Sequence, residues 1–131
     1  MTSPIHLQAI HHVRLTVTDL ERSQAFYTNV LGFQVLRQVP NGILMMRNGF
    51  LFGLSLPFDP AQAPTDDRFS EHRAGLDHLS FSVASHADLE AAAALFDAEG
   101  ISHGTINDIG PVYVMAFRDP DNIQLELTAP H

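Results

Sequence analysis

Two stretches of this 131-residue chain repeat one pattern, HVRLTV beginning at His12 and HLSFSV beginning at His78. Each stretch alternates apolar with polar residues, which is typical of a half-buried strand. Each is followed by a helix-like segment and then by three short strand-like runs that turn signals separate. An internal repeat requires the same supersecondary unit to form twice, so it constrains the fold more than any other feature. The sequence predicts an α+β chain of two tandem βαβββ modules.

The repeat also predicts where the modules begin and end. Module one covers about residues 8–56, and module two covers about residues 76–129. Between them, residues 57–75 contain three prolines and several charges, which is typical of a linker. The expected strands are 10–17, 34–39, 43–47 and 50–56 in module one, and 76–83, 101–106, 112–118 and 123–128 in module two. We expect the modules to share one domain, residues 1–131, because the chain is short.

The strand alternation assigns side chains to faces, because successive residues of a strand point to opposite sides of the sheet. The apolar residues of the first strand of each module face the helix, which leaves His12 and His78 on the other side. The same argument applied to IQLELT, the last strand of module two, leaves Glu126 on that side. His11, one residue before His12, is expected on the helix-packed side.

These three residues form a set that is suited to a divalent metal. Two neutral imidazoles and one carboxylate make a facial triad that leaves positions open for substrate, water or dioxygen. The chain has eight histidines and no cysteine, so imidazole is the available nitrogen ligand and thiolate sites are excluded. The pattern predicts one divalent metal ion bound by His12, His78 and Glu126. The triad suits Fe(II), and also Mn(II), Ni(II), Co(II) or Zn(II).

Two neighbours of the triad residues are candidates for substrate binding. Arg14 follows His12 on the same face and is able to bind an anionic substrate group in a bidentate manner. A salt bridge from Arg14 to an acidic neighbour is the alternative. Gln124 precedes Glu126 by two residues and is placed to line the site or to orient the ligand, with a purely structural role as the alternative.

Composition excludes several classes of function. The net charge of −8 would repel a phosphate backbone, so nucleic acid is not an expected partner. The chain has no lysine, which excludes Schiff-base chemistry. No apolar run is long enough to span a bilayer, so a membrane partner is not expected either. The first residues, MTSPIHLQ, do not form a signal peptide pattern, and a cytoplasmic location is expected.

Two longer motifs resemble a known family. HHVRLTVTDLERSQAFYTNVLGF resembles the opening of the vicinal oxygen chelate superfamily, and FRDPDNIQLEL resembles its closing signature. The superfamily includes glyoxalase I, extradiol dioxygenases, fosfomycin-resistance enzymes and bleomycin-resistance proteins. The resemblance implies that the two modules curl their mixed β-sheet into a cup around one metal, with the helices outside. It places the family's two histidines and closing glutamate on His12, His78 and Glu126, the positions that alternation also selects.

The chain departs from the individual subfamilies at several positions. Glyoxalase I draws a fourth ligand, a glutamate, from the last strand of module one, where this chain has Gly53. Fosfomycin transferases use a threonine where this chain has Arg14, and a lysine that it lacks. Extradiol dioxygenases add a histidine base and a tyrosine ten residues before the glutamate. That position is Ala116 here, and the nearby Tyr113 is the candidate for the catalytic role.

Two functions from different classes follow from these observations. The first is a divalent-metal-dependent enzyme that acts on a small oxygen-bearing molecule, with dioxygenase-like or lyase-like chemistry and Fe(II) as the favoured metal. The second is a metal-free protein that binds a drug or metabolite, as bleomycin-resistance proteins do. The resemblance also implies a homodimer, in which modules are sometimes exchanged so that His12 and the other two ligands come from different chains.

Overall fold

The computed structural model describes residues 2–131. The chain divides into two compact units at Pro64, and each unit contains one four-stranded sheet. This arrangement confirms the predicted α+β class and the two similar modules. The two modules have the same order of strands in the sheet and the same position of the helix along the chain, as the internal repeat predicts.

The first module contains four strands and two helical segments. They are β1 (His12–Thr16), α1 (Leu20–Ala25), a π-helical turn (Phe26–Val30), β2 (Gln34–Val39), β3 (Gly42–Arg47) and β4 (Phe50–Ser55). The sheet order is β1-β4-β3-β2, with β1 parallel to β4 and the other pairs antiparallel. An aromatic cluster fills the core, where the Tyr27 and Phe52 rings lie 5.0 Å apart and both side chains are buried. The side chains on the helix-facing side of this sheet therefore form the core of the module.

The second module repeats this order. It contains β5 (Leu79–Ser82), α2 (His86–Glu99), β6 (Asn107–Asp108), β7 (Val112–Arg118) and β8 (Gln124–Pro130). The sheet order is β5-β8-β7-β6, with β5 parallel to β8. Helix α2 packs on this sheet through Phe96, whose ring stacks on Phe117 at 4.6 Å. Ser85 caps the helix by accepting a hydrogen bond from the Asp88 backbone N–H, as its sequence pattern predicts.

The turns agree with the sequence signals. Asn41 and Asn48 have positive φ angles of 65° and 49°, which asparagine tolerates better than most residues. Gly42 follows Asn41 at the start of β3, where a Cβ atom would overlap the Leu54 carbonyl oxygen. The Asn-Gly turn therefore requires its glycine because of close backbone packing between β3 and β4.

One predicted strand is displaced. Residues 101–106 were expected to form a strand, but the regular pairing with β7 begins only at Asn107. His103 makes a single bridge to Phe117, and the Gly104 N–H donates to the Ala116 carbonyl at 2.8 Å. This segment runs beside β7 through separate hydrogen bonds, so it satisfies the edge of β7 without forming a continuous ladder.

The predicted linker is partly bound to the second module. The Phe69 backbone N–H donates to the Asp121 carbonyl at 2.9 Å, and the Asn122 side chain donates to the Phe69 carbonyl at 3.1 Å. These bonds hold the later part of residues 57–75 against the turn between β7 and β8. Within residues 2–131, no helix is long and apolar enough to cross a bilayer.

Candidate metal centre

Two of the predicted ligands lie together in the second module. His78 immediately precedes β5, and Glu126 lies in β8 beside Ser80 of the parallel neighbour strand. The His78 Nε2 atom is 3.8 Å from Glu126 Oε1. The His78 side chain is 40% exposed and that of Glu126 is 20% exposed, so both are accessible to a ligand.

An aspartate fixes the orientation of the His78 ring. The His78 Nδ1 atom lies 2.7 Å from Asp77 Oδ1. An ionised carboxylate only accepts hydrogen bonds, so Nδ1 carries the proton and, in the neutral ring, Nε2 has the free lone pair. The lone pair is therefore on the nitrogen that is nearer to Glu126. A carboxylate on the outer nitrogen is the usual support of a metal-binding histidine.

Gln124 is hydrogen-bonded to the aspartate that supports His78. Its Nε2 atom donates to the Asp77 carbonyl at 3.0 Å and to Asp77 Oδ1 at 3.3 Å. Its Oε1 atom accepts from Arg118 Nη2 at 3.3 Å. The Gln124 amide is engaged at both ends, which favours the positioning alternative, and its substrate-binding role stays a prediction.

Arg118 anchors the far end of the same network. Its guanidinium donates two hydrogen bonds to the Glu71 carboxylate, at 3.2 Å and 2.9 Å. The hydrogen bond from Arg118 lowers the pKa of Glu71 below its usual value, and the positive charge acts in the same direction. The ion pair connects the segment before module two to the Gln124 amide, and through it to Asp77.

The opposite side of Glu126 is bordered by hydroxyl groups and a small residue. Thr128 Oγ1 donates to Glu126 Oε1 at 3.2 Å and is itself hydrogen-bonded to Ser80. Ala116 of β7 pairs directly with Glu126 and contributes only a methyl group beside the carboxylate. Among residues 2–131 no arginine is paired with Glu126, so its negative charge is available to a cation.

Tyr113, the catalytic candidate, lies on the other face of this sheet. It pairs with Ala129, three residues from Glu126, and odd and even positions of a strand face opposite sides. Its ring contacts His86 of α2 and His131, with centroids 4.7 Å and 4.5 Å away. This placement corrects the expectation, because Tyr113 shares the helix-packed face and not the face of the carboxylate.

His12 lies in the first module, at the start of β1. Its neighbours Arg14 and Thr16 are exposed on the same face, while Leu15 is buried, as alternation predicts. The His12 Nδ1 atom is 2.9 Å from the Nδ1 atom of His11. When His12 donates this proton, its Nε2 atom has the lone pair, as in His78.

The expectation that His11 is packed against the helix is wrong. His11 is exposed and lies before the first residue of β1, so the alternation of the strand does not extend to it. His11 instead contacts His12 from the preceding position in the chain, as Asp77 contacts His78 in the second module. Neither supporting residue, Asp77 or His11, was predicted from the sequence, although in both repeats a polar residue directly precedes the candidate ligand.

Arg14 makes its polar contacts within the first module. Its Nε atom donates to Ser55 Oγ at 3.1 Å and Nη2 donates to the Pro40 carbonyl at 2.9 Å. In the described part of the chain no carboxylate lies at ion-pair distance from Arg14, so the alternative, a salt bridge to an acidic neighbour, is not present. Arg14 pairs with Gly53 of β4, which has no side chain that could act as a ligand.

The second module thus supplies a pair of ligands with their supporting network. No group of three or more histidine, aspartate or glutamate side chains placed to hold a metal is found within residues 2–131. Zn–N and Zn–O bonds of about 2.1 Å place two donors of one tetrahedral ion about 3.4 Å apart. The 3.8 Å between His78 Nε2 and Glu126 Oε1 is slightly longer, so a small rotation of either accessible side chain would let both atoms bind one ion.

Comparison with known proteins agrees with the fold. An uncharacterized Escherichia coli protein, YaeR, is 32% identical over 92% of this chain and 95% of its own. A crystal structure of a glyoxylase/bleomycin resistance protein/dioxygenase domain from Frankia sp. has a TM-score of 0.82 at 32% identity, covering 96% of this chain and 94% of that one. Catechol-2,3-dioxygenase of Bacillus subtilis is 30% identical over 98% of this chain but only 44% of its own length. A family model matches residues 9–127. The chain therefore belongs to the Glyoxalase/Bleomycin resistance protein/Dioxygenase superfamily.

Proposed function

We propose that the protein is a divalent-metal-dependent enzyme that acts on a small oxygen-bearing molecule. The proposed ligands are His12, His78 and Glu126, with Fe(II) favoured among Fe(II), Mn(II), Ni(II), Co(II) and Zn(II). One observation carries the proposal: the Asp77 carboxylate holds the His78 ring so that its Nε2 lone pair lies beside Glu126. A surface histidine and a surface glutamate have no need of this arrangement for stability.

The residues around the pair have defined tasks. Asp77 fixes the tautomer and the ring orientation of His78, and its own position is fixed by Gln124. The Thr128 hydroxyl holds one Glu126 oxygen by donating to it, which restricts the rotation of the carboxylate. A bound divalent ion would supply a Lewis acid that stabilises negative charge on a coordinated substrate oxygen, or with Fe(II) would allow reaction with dioxygen.

Dioxygenase-like chemistry is the first choice and lyase-like chemistry the second. The likeness to the Bacillus catechol-2,3-dioxygenase over 98% of this chain supports the first choice. Gly53 in place of a fourth ligand supports it further, because three ligands leave more positions open for substrate and dioxygen. The same glycine argues against the glyoxalase I reaction, in which a carboxylate at that position serves as ligand and base.

We also propose that the protein forms a homodimer. The segment before β1 exposes three large apolar side chains, Ile5, Leu7 and Ile10, which are 69%, 88% and 78% exposed. Exposed apolar residues grouped in one short segment are suited to contact with another chain. With modules exchanged between the two chains, His12 would complete the site of its partner.

Metal analysis tests the enzyme proposal. Protein purified without chelators or an affinity tag is expected to contain transition metal in stoichiometric amount. His78→Ala and Glu126→Gln should lose it, while the control Glu99→Gln, which changes an exposed glutamate at the end of α2, should retain it. A wild type without metal that also takes up no Fe(II), Mn(II), Ni(II) or Zn(II) would contradict the proposal and favour a metal-free binding protein.

A mixing experiment tests the exchange of modules. Chains carrying His12→Ala are combined with chains carrying His78→Ala, and the metal content of the mixed dimers is measured. Sites that combine two chains would place both substitutions in one site and leave the other intact, so half of the wild-type metal should return. Sites built within a single chain would stay empty in the mixture.

A further inference from the structure

One cross-strand row of the first sheet carries two arginines. In register, Arg14 pairs with Gly53, Gly53 with Leu44, and Leu44 with Arg37, so the row crosses all four strands. Residues paired in this way project from the same face of the sheet. It is also the face of His12, which is two residues before Arg14 in β1. The two arginines therefore lie on the side of the sheet that carries the proposed ligand.

The side chain of Arg14 lies flat across the neighbouring strand. A Cβ atom on Gly53 would be 3.1 Å from Arg14 Cγ, so the missing side chain at Gly53 provides the space for the arginine stem. The guanidinium then reaches Ser55 Oγ and the carbonyl of Pro40, the residue that follows β2. These two bonds orient the charged group and place it beside Pro40, three residues after Arg37.

The charges of this row are not compensated. In the second module Arg118 is paired with Glu71 at 2.9 Å. By contrast, within residues 2–131 neither Arg14 nor Arg37 has a carboxylate at ion-pair distance, although the chain has a net charge of −8. Both arginines are exposed. Two cations without a counter-ion on one face of an acidic protein, one of them oriented by hydrogen bonds, attract an anion.

We propose that this arginine row binds the carboxylate of a small organic acid. The half-buried side chains of Leu44, Met46 and Leu51 lie on the same face and provide an apolar surface for the body of such a molecule. A guanidinium matches a carboxylate through two parallel N–H donors, so the acid would be held in one orientation. That this acid is the substrate rests on the proposed function, whereas anion binding by the row does not.

Calorimetric titration of metal-free protein with benzoate tests the row. Arg14→Gln and Arg37→Gln are each expected to weaken benzoate binding by about tenfold or more, the usual effect of losing a hydrogen bond to a charged group. Arg37 makes no hydrogen bond or ion pair among the described residues, so its substitution should leave folding unchanged. Arg68→Gln removes the same charge from an exposed arginine outside the row and should bind benzoate like the wild type.

Neutral and inorganic probes separate the remaining explanations. Benzamide, which has the same ring without the negative charge, should bind at least tenfold more weakly than benzoate. Unchanged benzoate affinity in Arg14→Gln and Arg37→Gln, or an equal loss in Arg68→Gln, would overturn the proposal. So would protein that binds inorganic phosphate and not benzoate. Because the titrations use metal-free protein, failure of the metal proposal would not alter their result.

Discussion

Removal of the Asp77 carboxylate tests how the His78 ring is held. The Asp77 side chain is 70% exposed, so its charge is screened by water and its main contribution is the hydrogen bond at 2.7 Å to His78 Nδ1. Substitution of such a supporting residue usually lowers metal affinity by 10- to 100-fold. The exposure of Asp77 favours the low end, so Asp77→Ala should weaken binding about tenfold, or about 1.4 kcal/mol.

The assay is competition for Zn(II) against a chromophoric chelator at neutral pH. Asp67→Ala is the matched control, because Asp67 is an exposed carboxylate of the same compact unit, residues 65–131, and makes no ion pair or side-chain hydrogen bond among the described residues. Nitrogen NMR of the His78 ring provides a second readout, in which the proton should leave Nδ1 only in Asp77→Ala. Wild-type Zn(II) affinity in Asp77→Ala, or an equal loss in Asp67→Ala, would refute the positioning argument.

Three further substitutions test other parts of the structure. His11→Ala should lower the free energy of unfolding in urea by less than about 0.5 kcal/mol, because His11 is exposed. The same substitution should weaken metal binding at His12, because it removes the contact to His12 Nδ1. A large loss of stability with unchanged metal content would instead show that His11 packs against the helix. Gly42→Ala should lower the free energy of unfolding by about 3 kcal/mol in the same assay, because the added Cβ would overlap the Leu54 carbonyl. A urea midpoint equal to that of the wild type would contradict the register between β3 and β4. Hydrogen bonds to Asp97 and to a backbone carbonyl raise the pKa of His103 above 6.5, so its contribution to stability is complete below about pH 6.5 and is lost as the pH rises through the raised pKa. Unfolding of His103→Gln against wild type at pH 5.5 and pH 8.5 should show the larger difference at the lower pH.

The repeat and the strand alternation were sufficient to predict the modules and the faces of the sheets. HVRLTV and HLSFSV have the period of two that a half-buried strand imposes, and the structure places Leu15 in the core and Arg14 outside, as that period requires. Alternation along β7 would also have placed Tyr113 on the helix-packed face, because it is two and four residues from the core residues Met115 and Phe117.

The sequence was less informative where the regular strand ends. The two-residue period applies only inside a strand, so it gave the wrong face for His11, which lies just before β1. Residues 101–106 have strand-like composition, but pairing depends on the neighbouring strand and not on composition alone. The network from Glu71 through Arg118 to Asp77 joins residues that are distant along the chain, and no local pattern predicts such contacts.

Anomalous X-ray diffraction from crystals grown with Co(II) tests the central claim most directly. We expect one strong peak bonded to His78 Nε2 and Glu126, with His12 of the same or a partner chain as the third protein ligand. Asp77 should still be hydrogen-bonded to Nδ1 of His78. Crystals of folded protein that show no peak at His78 and Glu126, or a peak bound by other residues, would contradict it.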